Sequence, residues 1–595
     1  MPSPVGARGP RSGALVTEDR RALAIDIAIG VMVVAFVAGP ALFTHYAFSS
    51  EYVSHLWLAW HQGEVLGERG LPTMFVHSEA MGLFQPFYGF YGGTLYTVTG
   101  LVSLLLGGAP NAAFALVTAA SVGGAYGGMV WLGSLMGLPR LMRHVPAIIF
   151  VTSAYFITDI YARGAWPEFV ALSALPLIVA GGVRLLTGPW TASSVAGFAI
   201  GVIALSGSHN ISLLWSTILL CGVGVVAWIA VGAKRPPLRR VAGVVGLAGL
   251  AGAVNAWFLL FNVANASKTR AGQAGFAWSS TSDFNTVDSL LTPLRTTPAQ
   301  STTPGLVVAA PVVALAIAIL LYVLSQHSAI RHRVLNALWW VVAAGFIGTL
   351  ALMMSQKAWD LLGKPFTHIQ FPYRLSGWLA FSVAVLLALS LRFAAGTVRR
   401  GVIIGSLLGL LLITVVQAGN QLYGPTPREA LDAKGVHRDI AYANGVDEVP
   451  PYPYWADTGI YRDASLPLVA VPPGRQVTLK ESSPGAQRIT GTVTLPKGTA
   501  PVQTNIGAGP YAVRVEGVDV IGRTGGGYHE EGYLVIRPPD GEGRQVTITV
   551  AADIGTVGHI GTAVSVLAIA GLLIVIARLA VRRRRGRGPQ GSGSP

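Results

Sequence analysis

The stretch TLYTVTGLVSLLL, residues 94–106, decides how the chain is threaded. A helix that crosses a bilayer takes about 20 apolar residues, and this run is too short to span comfortably. Counting it as a crossing reverses the side of every later loop, and those loops carry the arginines. They cluster at Arg140 and Arg143, Arg235 to Arg240, Arg331 and Arg333, Arg392 to Arg400 and Arg582 to Arg587, while Arg20 and Arg21 precede the first apolar run. With 94–106 set aside as a re-entrant or interfacial helix, every cluster falls on one side, as the excess of Lys and Arg in cytoplasmic loops requires.

Working outward from that stretch, twelve crossings are expected near residues 23–43, 112–138, 145–160, 169–185, 193–205, 211–231, 241–261, 306–324, 334–354, 375–391, 402–416 and 560–576. The fold class is mainly α and polytopic, with both termini cytoplasmic. The composition agrees: of 595 residues 52% are hydrophobic and only 12% charged, too little polar surface for a soluble chain of this length. The net charge of +15 sits beside apolar runs, so it reads as membrane orientation and not as a nucleic-acid surface. Cys221 is the only cysteine and lies inside an apolar run, which excludes a disulfide framework or a cysteine metal site within one chain. The first apolar run lacks a small-residue cleavage site and is expected to be a retained helix. Arginine outnumbers lysine 35 to 7, and Ala, Gly and Val abound, a usage that points to a GC-rich bacterial genome; with the apolar runs, a place in a bacterial inner membrane is expected.

The threading defines the parts: a basic N-terminus (1–22), a transmembrane domain (23–420), an extracytoplasmic segment (421–558), a final helix (559–577) and a basic, disordered tail (578–595). The runs QVTL (476–479), RITGTVTL (488–495), YAVRVEGVDVI (511–521) and QVTITV (545–550) alternate as strands do, so a β-sandwich is expected over about 466–555.

The polar candidates lie on the outer side. The first outer loop, 44–111, contains SSEYVSHLWLAWHQ from Ser49, in which Glu51 and His55 share a helical face. Glu51 suits a general base toward a hydroxyl, or a solvated loop acid; His55 suits a hydrogen-bonding role or a catalytic one. Phe84, Phe87, Tyr88, Phe90, Tyr91 and Tyr96 fit an interfacial aromatic belt, or sugar stacking. TDIYARGAWPEF from Thr158 ends a crossing with Asp159, Arg163 and Glu168, either boundary charges or a site. His209, in the short turn SHN at 208–210, either bonds the turn or binds a phosphate or metal. KPFTHIQFPYRL at 364–375 supplies His368, Gln370, Tyr373 and Arg374, the last at the start of a helix, where it anchors the interface or forks onto a phosphate. There is no nucleotide-binding, zincin or nucleophile-elbow motif, so soluble-nucleotide chemistry is disfavoured.

The segment from Glu51 to Tyr96, YARGAWPE at 161–168 and QFPYRL at 370–375 resemble a bacterial membrane family labelled 6-pyruvoyl-tetrahydropterin synthase-related, itself similar to YfhO-like proteins and the wider GT-C glycosyltransferases. The pterin label carries no chemistry, because the zinc-binding histidines it implies are missing. The GT-C resemblance implies transfer of a sugar from a polyprenyl-phosphate donor to a cell-envelope glycan or glycolipid. It matches Glu51 to the position of the usual catalytic Asp, Glu168 and Arg163 to the second outer-loop motif, with Asp159 as a further carboxylate, and Arg374 to the QFPYR arginine; Arg374, helped by Arg163, is then expected to contact the donor phosphate. Asp159, Glu168 and His209 are the candidate ligands of a divalent metal, Mg or Mn, although a Ca-type hard-cation site takes about six to eight oxygens. A lipid or polysaccharide transporter or flippase and a non-catalytic envelope scaffold are the rival readings.

Overall fold

The computed structural model describes residues 12–43, 50–78, 82–161, 164–269, 284, 310–362, 372–423, 463, 465–480, 483–509, 512–525, 532–538 and 543–585. Among them, nine helices are long and apolar enough to cross a membrane, and a pair of helices bent by 48° over 141–161 passes the same test as one broken span or a re-entrant loop. The chain is a multi-pass membrane protein. The two other expected crossings fall on shorter apolar helices, Ala192–Ser208 and Ala310–Leu324.

The first helices are α1 (Ser12–Phe43), α2 (Ser50–Arg69), α3 (Phe87–Phe90), α4 (Gly93–Leu105) and α5 (Pro110–Leu135). Then come α6 (His144–Val151), α7 (Ala154–Tyr161), α8 (Trp166–Ser173), α9 (Leu175–Thr187), α10 (Ala192–Ser208), α11 (Asn210–Ala230), α12 (Leu238–Gly252) and α13 (Ala256–Asn265). The remainder are α14 (Ala310–Leu324), α15 (Gln326–Arg331), α16 (Arg333–Met354), α17 (Gln356–Leu362), α18 (Ser376–Ala394), α19 (Arg400–Tyr423) and α20 (Gly555–Arg585).

Helix α18 is apolar on all sides, and it is buried, from Val383 to Leu391, against α6, α14 and α16. Helices α11 and α20 instead leave Val225, Ile229, Leu567 and Leu573 exposed, the surface a lipid-facing helix presents. Asp26 is the acid inside the apolar run of α1. It ties three elements together, accepting from Arg140 (2.9 Å) and lying 3.2 Å from Nε2 of His144, the first residue of α6.

Helix α4 covers the decisive stretch. At thirteen residues it is about 20 Å long, short of a hydrocarbon core of about 30 Å. It packs along α2, where Gly100 meets Gly63 backbone to backbone: a Cβ on Gly100 would lie 2.6 Å from the Gly63 nitrogen. Small residues permit this closeness, as they do between membrane helices.

The strands are β1 (Val76–Ser78), β2 (Gly82–Gln85), β3 (Gln476–Val477), β4 (Arg488–Thr494), β5 (Val502–Gly507), β6 (Ala512–Glu516), β7 (Asp519–Arg523), β8 (Tyr533–Arg537) and β9 (Gln545–Asp553). One sheet runs β1-β2-β5-β8-β7, with β3 also on β5; the other runs β4-β9-β6. Ile489 and Val493 of β4, with Val546, Ile548 and Val550 of β9, alternate inward onto Val502, Ile506, Leu534 and Ile536, giving one shared core. The segment after α2 enters this core: β2 pairs in parallel with β5, Leu83 opposite Ile506, and Phe75, Leu83 and Phe84 are buried in it.

That packing corrects the expected aromatic belt. Phe84, Phe87, Tyr88, Phe90 and Tyr96 are buried, because the loop folds inward between the bundle and the strands instead of spreading at a headgroup surface.

Candidate functional site

Four separate segments bring polar groups together at the loop end of the bundle. Glu168 is the third residue of α8, behind the helix-starting pair Trp166 and Pro167. Its carboxylate is buried: the Tyr155 hydroxyl of α7 donates to Oε1 at 2.5 Å, and Arg374 Nε lies 3.5 Å from Oε2. Arg374 sits in the 3-10 turn Pro372–Leu375 that leads into α18, beside half-buried Tyr373. Asp159 stands one helical turn beyond Tyr155 on the same face of α7, fully buried.

His209 caps α11. Its Nδ1 accepts from the Ser212 backbone N–H at 3.2 Å and lies 2.8 Å from the Ser212 hydroxyl. An Nδ1 that accepts leaves the proton of a neutral imidazole on Nε2, and Nε2 lies 3.4 Å from Arg374 Nη1. The imidazole edge and the guanidinium thus stand side by side.

His55 stands behind this cluster. Its Nδ1 lies 2.7 Å from the Tyr96 hydroxyl, and its ring faces Tyr91 (6.4 Å) and Trp166 (6.4 Å); Tyr91 in turn meets His209 edge-on at 5.6 Å. Burial, helped by the His209 charge, lowers the His55 pKa to about 3. So weak a base is neutral at neutral pH, and its Nδ1 is engaged with the Tyr96 hydroxyl.

The structure therefore joins Glu168, Arg374 and His209, adds Tyr155, and places Asp159 on Tyr155's helix face. Glu51 lies in the first turn of α2, but its side chain is outside the described residues, as are Arg163, His368 and Gln370 entirely. The metal set expected from Asp159, Glu168 and His209 is not formed: among the described residues no three His, Cys, Asp or Glu side chains gather closely enough to hold an ion. The Glu168 oxygens face a hydroxyl and a guanidinium, and the His209 edge faces the same guanidinium, so a cation already stands where the metal would.

Tyr155 was missed in the sequence because a tyrosine inside FVTSAYFITD looks like core packing. Its four-residue spacing from Asp159 is the signal that finds it.

No known protein family matches the chain, and no curated protein matches it. Among solved structures it is similar to the arabinofuranosyltransferase AftD from Mycobacteria, with 17% sequence identity and a TM-score of 0.44. The match covers 69% of this chain and 27% of that one, so the chain corresponds to about a quarter of that protein's length.

Proposed function

We propose that the chain is a membrane glycosyltransferase that moves a sugar from a polyprenyl-phosphate donor to a cell-envelope glycan or lipid acceptor on the outer face of the membrane. The observation that carries this reading is the gathering of a guanidinium, a buried carboxylate and an imidazole edge at one place, Arg374 lying 3.5 Å from Glu168 and 3.4 Å from His209 Nε2. The resemblance of the Glu51 loop, RGAWPE and QFPYR to GT-C glycosyltransferases supports it.

In this reading twelve crossings leave both termini in the cytoplasm, with loop 44–111 and the segment 421–558 outside. Glu51 takes the proton of an acceptor hydroxyl, whose oxygen attacks the anomeric carbon. The bond from that carbon to the phosphate oxygen breaks, and polyprenyl phosphate leaves with the electron pair. Arg374 and His209, with Arg163, stabilise the charge on the departing phosphate, an effect that is strong where water is excluded. Glu168 and Tyr155 hold the Arg374 guanidinium in place, and the strand-rich region orients the acceptor.

Purified protein given radiolabelled polyprenyl-phosphate sugars tests this. Wild type transfers label to acceptor; Arg374→Ala loses about 10²–10³-fold in rate, and Glu51→Gln about 10²–10⁴-fold. Normal transfer by Glu51→Gln removes the base assignment. Vesicle uptake or lipid scrambling without transfer replaces the enzyme by a transporter, and no activity of either kind by a scaffold.

A further inference from the structure

The strand-rich region and the first loop are joined by more than the pairing of β2 with β5. At the far end of α2, Glu68 Oε2 accepts from the Gly485 N–H at 2.9 Å, and His77 Nε2 lies 2.9 Å from the Ala486 carbonyl, both in the turn before β4. Gln62 of α2 grips residue 73 through two bonds, accepting from its N–H and donating to its carbonyl, which fixes the approach to β1. The hairpin's course is equally specific. Gly82 has φ +81°, and a Cβ there would lie 2.5 Å from the Asn505 carbonyl oxygen.

Phe84 supplies an independent observation. It is the single non-glycine residue with positive φ among the described residues (58°), and it is fully buried. A bulky side chain keeps a left-handed backbone only where its surroundings over-determine it. Here they do: its N–H donates to His77 Nδ1 (3.2 Å), and its ring packs in a core most of whose members lie some 400 residues further along the chain.

We infer that the strand-rich region is an intramolecular clamp: docked on the paired strands β1 and β2, it holds α2 in position over the polar cluster. The helix carries the effect between its ends, from Glu68 at the clamp to His55, which touches Tyr96 and Tyr91 beside His209. Undocking lets Phe84 relax out of its strained conformation, so release of the hairpin is self-reinforcing and loosens α2. The inference stands apart from sugar transfer, and its test uses no activity.

Amide hydrogen exchange of the full chain in detergent measures it. Gly82→Val, which drives a side chain into the Asn505 carbonyl, is expected to speed exchange at least tenfold in both β5 and α2 and to leave α18 unchanged. Faster exchange in β5 with wild-type protection of α2 overturns the clamp. Should Gly82→Val fail to fold, the pair Leu83→Cys and Ile506→Cys, in a Cys221→Ser background, gives the reverse test. Oxidation of that pair is expected to slow α2 exchange several-fold relative to the reduced form, and equal rates in the two forms refute the inference.

Discussion

Acidification is expected to undo the joint between the first loop and the strands, and His77 sets the size of the effect. Burial, with a smaller contribution from the Arg69 charge, lowers its pKa from 6.5 to about 4, and the Ala486 carbonyl offsets only part of that. Its hydrogen bonds specify the neutral form, since Nδ1 accepts from the Phe84 N–H while Nε2–H donates to Ala486. The unfolded state therefore binds more protons between about pH 4 and 6.5, and stability rises with pH over that window. The contribution is complete above about pH 6.5 and is lost as pH falls toward 4. A shift of about 2.5 units is worth about 3 kcal/mol at 1.36 kcal/mol per unit. Buried His61, which accepts from the His77 N–H and is held well below its ordinary value by burial and by the His77 charge, adds in the same direction. Urea unfolding of the wild type and His77→Gln in detergent, followed from pH 7.5 to 4.5, reads the effect. The wild type is expected to lose stability relative to His77→Gln by about 2–3 kcal/mol across that range. A difference between the two that does not change with pH refutes the reasoning.

Two further outcomes concern the bundle. Glu168→Ala removes the carboxylate that faces both the Tyr155 hydroxyl and the Arg374 guanidinium, and breaking a buried pair in this way costs about 3–5 kcal/mol. A lowered thermal midpoint checks it, and Glu168→Gln is expected to fall between this variant and the wild type. Gly100→Ala presses a methyl group into the Gly63 backbone, an overpacking that costs about 1–3 kcal/mol. Unchanged melting of that variant would show that α2 and α4 are not held at backbone contact.

The bundle was legible because lipid demands long apolar runs and the arginines mark their ends. The short length of 94–106, together with the side on which the arginine clusters fall, separated α4 from the spans, and the structure makes it a thirteen-residue helix. Glu168, Arg374 and His209 were legible for the same reason: a charge or a histidine at the end of an apolar run has few neighbours to explain it. Their distances were not legible. Residue types suited to a metal turned out to surround a guanidinium, because spacing along the chain does not say which helices meet. QVTL, RITGTVTL, YAVRVEGVDVI and QVTITV each contain strands, whereas VQTNIG (502–507) and YLVIR (533–537) were passed over. The first mixes polar residues into a buried strand, and the second is nearly all apolar with no alternation. The hairpin 76–85 could not be read at all: two strands of three and four residues carry no periodicity, and what makes them strands is a partner elsewhere in the sequence.

The pairing of Leu83 with Ile506 also sets a timetable for biogenesis. A ribosome adding about 5–20 residues per second needs roughly 20–85 s to travel from one residue to the other. For that interval the hairpin has no sheet to join, and Phe75, Leu83 and Phe84 have no core to enter. A nascent chain with an unpaired strand edge and three apolar side chains in view is open to aggregation and proteolysis. Assembly of the strand-rich part of this protein is therefore late and all at once, and the first loop to be made is among the last to be finished.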